Sequence, residues 1–229
     1  MASTVPWRGS FEIDSADESI DLAQTSAGEF KLGATITYVG DSTGLEDVLD
    51  PDALQDIRQV SPTTLPRTDL ASVPTALTWL VGRYGAHTPA VLIHDRLIGG
   101  ELPEGMTEVH ADRYFRFMLA DLKIPLIRRW LIFTAVALRT RFASGGLARL
   151  SLTLWILGSI AGHGVAIYAA VAGTWWLFAA AALAPVLFAG LWGRQYGAGI
   201  VGAYSAPGIL PPTLLGVIGY WVYWILERA

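Results

Sequence analysis

The sequence predicts a small α+β soluble domain, with a few strands and three to four helices, followed by an α-helical membrane anchor of about three transmembrane helices. Three observations carry this reading. Charge stops abruptly: after Arg149 the only charged residues are Arg194, Glu227 and Arg228. The intervening stretches run to about 20 apolar residues, enough to cross about 30 Å of hydrocarbon as a helix. Ahead of them lie one alternating segment and two capped amphipathic helices, the signature of a small mixed domain.

The acidic, Ser- and Ala-rich residues 1–27 read as poorly ordered. Residues 28–142 form the expected soluble domain. Phe30 to Val39 alternates as a strand does. Thr43 to Gln55 reads as acidic with a short helix, and Asp56 to Ser61 as another strand. The prolines Pro66 and Pro74 frame an ordered loop leading to a helix near Thr75 to Val81. A helix opens at Thr88-Pro89, a cap residue followed by proline at the first helical position, and stops at Gly99-Gly100. The next opens at Thr107 and runs to about Leu122. A basic, aromatic helix follows from Pro125 to Phe142. Its apolar run from Trp130 to Leu138 is too short to span a bilayer, so it reads either as the last core helix of the domain or as a helix lying on an anionic leaflet.

A basic linker at 143–149 leads to the anchor at 150–229, with spans expected at about 150–172, 175–192 and 209–226. Residues 194–208, Gly-rich and half apolar, fit a loop, a re-entrant segment or part of a longer span. Trp175, Trp176, Trp192, Tyr220, Trp221, Tyr223 and Trp224 fall near the proposed span ends, where amphipathic rings favour the headgroup layer. His163 lies inside the first span, where an ionisable side chain is either functional or a hydrogen-bonding link between helices.

Residues 1–62 hold twelve acids against three bases, whereas residues 113–149 hold eight bases against Asp121 alone. Arg128, Arg129, Arg139, Arg141 and Arg149 beside the first span place the N-terminal domain in the cytoplasm, at the inner membrane, with the C-terminus external. The N-terminus has neither the basic start nor the apolar run of a secretory signal. The absence of cysteine excludes disulfides and thiolate metal sites. Nucleic-acid binding is not expected, because the bases cluster beside the membrane.

One grouping has catalytic character. Helical spacing puts Val91, His94 and Ile98 on one face of the first capped helix. It puts Val109, Asp112, Phe115, Leu119 and Leu122 on one face of the second. An antiparallel pairing brings His94 to Asp112. A neutral imidazole oriented by a carboxylate can take a proton from water, and Asp95, about 100° round the helix, is a candidate ligand for a hard cation such as calcium. The competing reading is structural: a buried His–Asp pair that satisfies its own polar groups.

Residues Arg67 to about Phe142 resemble an uncharacterised domain family of tailed-phage, prophage and bacterial genomes. The resemblance rests on Thr68-Asp69-Leu70-Ala71-Ser72-Val73-Pro74, Trp79, Gly82-Arg83-Tyr84-Gly85, His94-Asp95-Arg96-Leu97-Ile98, Ala111-Asp112-Arg113-Tyr114-Phe115 and Ala135-Val136. It covers about a third of the chain and implies no defined activity. A looser, site-level resemblance is to the helices of phospholipase A2, implying His94 and Asp112 as the catalytic pair and Asp95 as a calcium ligand. Ile98 stands where that pattern has tyrosine, and no cysteines are present. Two readings follow. The first is a non-enzymatic, membrane-anchored cytoplasmic domain, either a phage-derived accessory protein or a subunit of a membrane complex. Its partners would be the bilayer and other membrane subunits or further copies of itself. The alternative is a membrane-tethered, phospholipase-like hydrolase that uses calcium at the cytoplasmic leaflet.

Overall fold

The computed structural model describes residues 7, 9–26, 28–41, 43–70, 82 and 84–228. Contacts divide the chain into two compact units, Met1–Arg129 and Trp130–Ala229.

The first unit is built on two small antiparallel sheets. Strands β1 (Phe11–Ile13), β4 (Ile36–Tyr38) and β5 (Gln59–Val60) form one, in the order β1-β4-β5; β2 (Leu22–Ser26) and β3 (Glu29–Leu32) form a hairpin. Phe11 pairs with Tyr38, Ile13 with Ile36, and Ile36 with Val60, so alternate side chains of the larger sheet point into one core. The residues expected to be poorly ordered therefore contribute two strands. The single strand expected from Phe30 to Val39 is two. Between them, the Gly33 amide donates to the Asp21 carbonyl, which turns the chain from one sheet to the other.

Helix α1 (Pro51–Asp56) begins where Asp50 accepts from the Ala53 amide at 2.8 Å, with proline at the first position. Helix α2 (Thr88–Gly99) packs on β4, β5 and helix α3 (Glu108–Asp121). Thr107 caps α3, and His110 reaches back to the Thr107 amide to complete a reciprocal cap. Both helices lie within two residues of their expected bounds. Ile36, Tyr38, Leu45, Ile57, Leu92, Ile93, Tyr114, Phe115, Met118 and Leu119 are fully buried and form the core. The expected helix near Thr75 to Val81, with Trp79, lies outside the described residues.

Helix α4 (Leu126–Ser144) crosses the division between the units. Its Phe133 and Ala137 pack with Leu152 and Trp155 of helix α5 (Gly146–Val171), Ala189 of helix α6 (Trp175–Ala189), Trp192, and Ala198 and Ala203 of helix α7 (Tyr196–Glu227). The run from Trp130 to Leu138 thus serves the helical unit and not the α+β core. Gly145 and Gly146, both at positive φ (68° and 47°), make the corner between α4 and α5.

Helices α5 and α6 form a close hairpin. A Cβ on Gly162 would lie 2.9 Å from Ala184 Cβ and 3.1 Å from the Ala181 carbonyl, so glycine is what permits the approach. After α6 a 3-10 turn (Gly190–Gln195) contains Gly193 at φ 54°, ψ −122°, and the chain reverses there. Helix α7 runs back along α6: Gly199 lies against Ala189 and Trp192, and the Tyr204 hydroxyl donates to the Ala182 carbonyl.

Two stretches are long and apolar enough to cross a membrane, Gly146–Val171 and Trp175–Glu227, where the sequence suggested three. Helix α6 by itself is 15 residues, about 22 Å. Of residues 194–208, for which a loop, a re-entrant segment or part of a longer span was expected, 196–208 are the first part of the 32-residue α7. Trp192, expected near a span end, lies in the 3-10 turn after α6 and is fully buried against Trp155, at 4.9 Å between ring centroids.

Candidate functional site

His94 and Asp112 meet, as the paired helical faces required. His94 Nε2 lies 3.0 Å from Asp112 Oδ1. A carboxylate only accepts, so Nε2 carries the proton. The imidazole lies 4.8 Å from the Phe115 ring, and Asp112 is completely buried while His94 is 4% exposed. Each polar group therefore faces the other across a sealed interface between α2 and α3. A general base needs its second nitrogen within reach of a substrate proton, and His94 offers only 4% of its surface to solvent.

Asp95 points elsewhere, and its surroundings were not foreseen. Thr68 Oγ1 donates to Asp95 Oδ2 at 2.8 Å and accepts from the Leu70 amide at 3.0 Å. The Thr68 backbone pairs in both directions with Phe30, at 2.8 and 2.9 Å. Thr68 thus joins three segments: the β2–β3 hairpin, the loop at Leu70 (φ 56°) and helix α2. On the next residue, the Arg96 guanidinium donates to Asp56 Oδ2 at 2.5 Å and to the Gln59 carbonyl at 3.0 Å, fastening α2 to α1 and β5.

Two further polar groups escaped the sequence reading. The Tyr38 hydroxyl donates to the Asp121 carboxylate, and the Asp121 carbonyl accepts from Ser10 Oγ at 3.2 Å. Burial, and then the hydrogen bond to Asp121, hold the Tyr38 hydroxyl protonated well above the usual tyrosine range. No local pattern announces this pair, because its members lie 83 residues apart. His87, just ahead of α2, is almost fully buried with Nε2 3.0 Å from the Gly82 carbonyl. Burial pushes its pKa down; the bond to Gly82 opposes that shift, and the positive charge of Arg128 adds to it.

In the helical unit, His163 Nδ1 lies 2.7 Å from the Ser159 carbonyl of its own helix, and its ring meets Tyr204 edge-on at 5.9 Å. Arg141 has a more extensive set of partners. Its Nε donates to Gln195 Oε1 at 3.0 Å, and its terminal nitrogens reach the Leu191 and Trp192 carbonyls and Ser151 Oγ. It also lies over the Trp192 ring, at 5.0 Å.

Fold and site together define a small α+β module tied internally by buried polar pairs and joined to an apolar helical unit. Residues 55–136 match a family described as "Protein of unknown function (DUF1353)", an uncharacterised domain family. The match begins in α1, takes in the Thr68–Asp95 and His94–Asp112 contacts, and ends within α4. No curated protein matches the chain. No solved structure matches it either.

Proposed function

We propose that this chain is a membrane-anchored protein whose N-terminal α+β unit is a non-catalytic module on the cytoplasmic side. In this reading it is a phage-derived accessory protein or a subunit of a membrane complex. The observation that carries the reading is the sealed His94–Asp112 pair. The residues with the strongest catalytic character are spent on holding α2 to α3, and Asp95, the candidate calcium ligand, is engaged by Thr68. The residues that make the family motifs distinctive therefore act as ties between segments, and the binding surface lies elsewhere on the module. The apolar stretches Gly146–Val171 and Trp175–Glu227 support the anchoring.

The test measures phospholipid hydrolysis and thermal stability of the full chain in detergent, with and without calcium, alongside Asp95→Asn. The expected result is no fatty-acid release and no calcium-dependent rise in Tm. A rise that follows RT ln(1 + [L]/Kd), disappears in Asp95→Asn and accompanies lipid hydrolysis would establish the phospholipase-like alternative instead.

A further inference from the structure

From Leu122 to Leu226 the sequence contains no acidic residue, yet it carries Lys123 and Arg128, Arg129, Arg139, Arg141, Arg149 and Arg194. Within the helical unit four of these arginines gather at one end. Arg141 shows this directly, since it touches the start of α5 at Ser151 and the 3-10 turn at Leu191, Trp192 and Gln195. The C-terminus of α4, the N-terminus of α5 and the turn before α7 therefore converge. Arg141 is consumed by those carbonyls. Arg139, Arg149 and Arg194, set on the same three segments, are exposed, and among the described residues none of them is ion-paired with a carboxylate. Arg149 is held in place by two bonds to the Phe142 carbonyl, at 3.1 and 2.9 Å, and stacks on the Phe142 ring. Around the arginines Phe142, Leu147 and Leu150 stand 61%, 84% and 53% exposed.

We infer that this arginine collar is a binding surface for anionic lipid headgroups, and that its occupant is the phosphate layer of an anionic bilayer leaflet. Three guanidinium groups without an ion-paired carboxylate need counter-anions, and the unit's one acidic side chain, Glu227, bonds Tyr223 at the far end of α7. Guanidinium matches phosphate with two parallel donors, and the exposed apolar side chains beside it continue into the helices that enter hydrocarbon. Anchoring by helices alone would be indifferent to headgroup charge; the collar makes the protein select its lipid neighbours. The inference rests on the membrane reading above and deepens it.

The full chain, reconstituted in phosphatidylcholine vesicles containing about 30 mol% phosphatidylglycerol, is probed with spin-labelled phosphatidylglycerol or spin-labelled phosphatidylcholine. The motionally restricted signal is expected to favour phosphatidylglycerol by about three- to five-fold at low salt. The preference should approach parity in about 0.5 M salt and in the R139Q/R149Q/R194Q variant, which leaves Arg141 intact. If that variant does not reconstitute, the salt titration of the wild-type chain decides. Equal restriction of both lipids by the wild-type chain, or a preference that survives salt or the triple variant, overturns the collar alone. No restricted signal from either probe, with release of the chain by an alkaline wash, overturns the membrane reading as well.

Discussion

On the proposed reading, the imidazole of His94 is spent on structure. With Asp112 fully buried, His94→Ala takes the imidazole donor from a carboxylate in the core, a loss of about 3–5 kcal/mol. A paired apolar replacement, His94→Leu with Asp112→Leu, removes both partners of the contact and should recover most of that loss; equilibrium denaturation of the full chain in mild detergent measures both. His87 yields a pH prediction. Its folded pKa lies below its ordinary value of 6.5, so below pH 6.5 the unfolded chain takes up a proton that the folded chain refuses. Stability should therefore fall as pH drops from 6.5, and His87→Gln should flatten that decline, as melts across the acid range would show. The His94–Asp112 contact was legible because two helical periodicities and a short connection bring their faces together. The Thr68–Asp95 and Tyr38–Asp121 contacts were not. They join segments far apart in the chain through single side chains, and one-residue hydrogen-bond partners leave no periodic trace.

Elements follow the same rule. Helices α2 and α3 were legible from Thr88-Pro89, Gly99-Gly100 and Thr107, because caps and breakers are local signals. Strands β1 and β2 were not, since Phe11–Ile13 and Leu22–Ser26 are three and five residues long and lie among acids that resemble an unstructured tail. The reversal at Gly193 was also hidden: one glycine in an apolar run does not announce a break. What makes that break tolerable is Arg141, whose guanidinium satisfies the Leu191 and Trp192 carbonyls. Arg141→Gln should destabilise the helical unit by about 2–3 kcal/mol, and Arg141→Lys should not rescue it, because an ammonium lacks the planar fork. Denaturation of the full chain in mixed micelles measures this. Gly162→Val should cost about 1–3 kcal/mol in the same assay by forcing α5 from α6. Gly164→Val, with nothing within 4 Å of its added Cβ, is the matched control for close approach.

At the scale of the whole chain the two compact units divide the labour: a module held together by buried polar pairs, and helices whose outward faces are apolar. Helix α7 is exposed on nearly every side from Gly208 onward, with Leu210, Leu214, Leu215, Ile218, Trp221 and Leu226 each more than half exposed. A helix apolar all round is unstable against water and stable in hydrocarbon or against another apolar surface. The arginines at the α4–α5 corner and at the 3-10 turn share one end of the unit. Gly173, between α5 and α6, lies at the other, 26 helical residues or about 39 Å along α5. That distance exceeds the hydrocarbon thickness of about 30 Å. If the arginines stay on the cytoplasmic side, the α5–α6 corner must emerge on the opposite face, and α7, which leaves the arginine end again, carries the C-terminus across with it. Reporter fusions at Ala2, Gly173 and Ala229 should therefore read inside, outside and outside. Moving two arginines from the α4–α5 corner to the Gly173 corner should invert or scramble that pattern. An inside reading at Gly173 in the unaltered chain would mean that α5 and α6 do not cross as argued, leaving α7 as the single crossing.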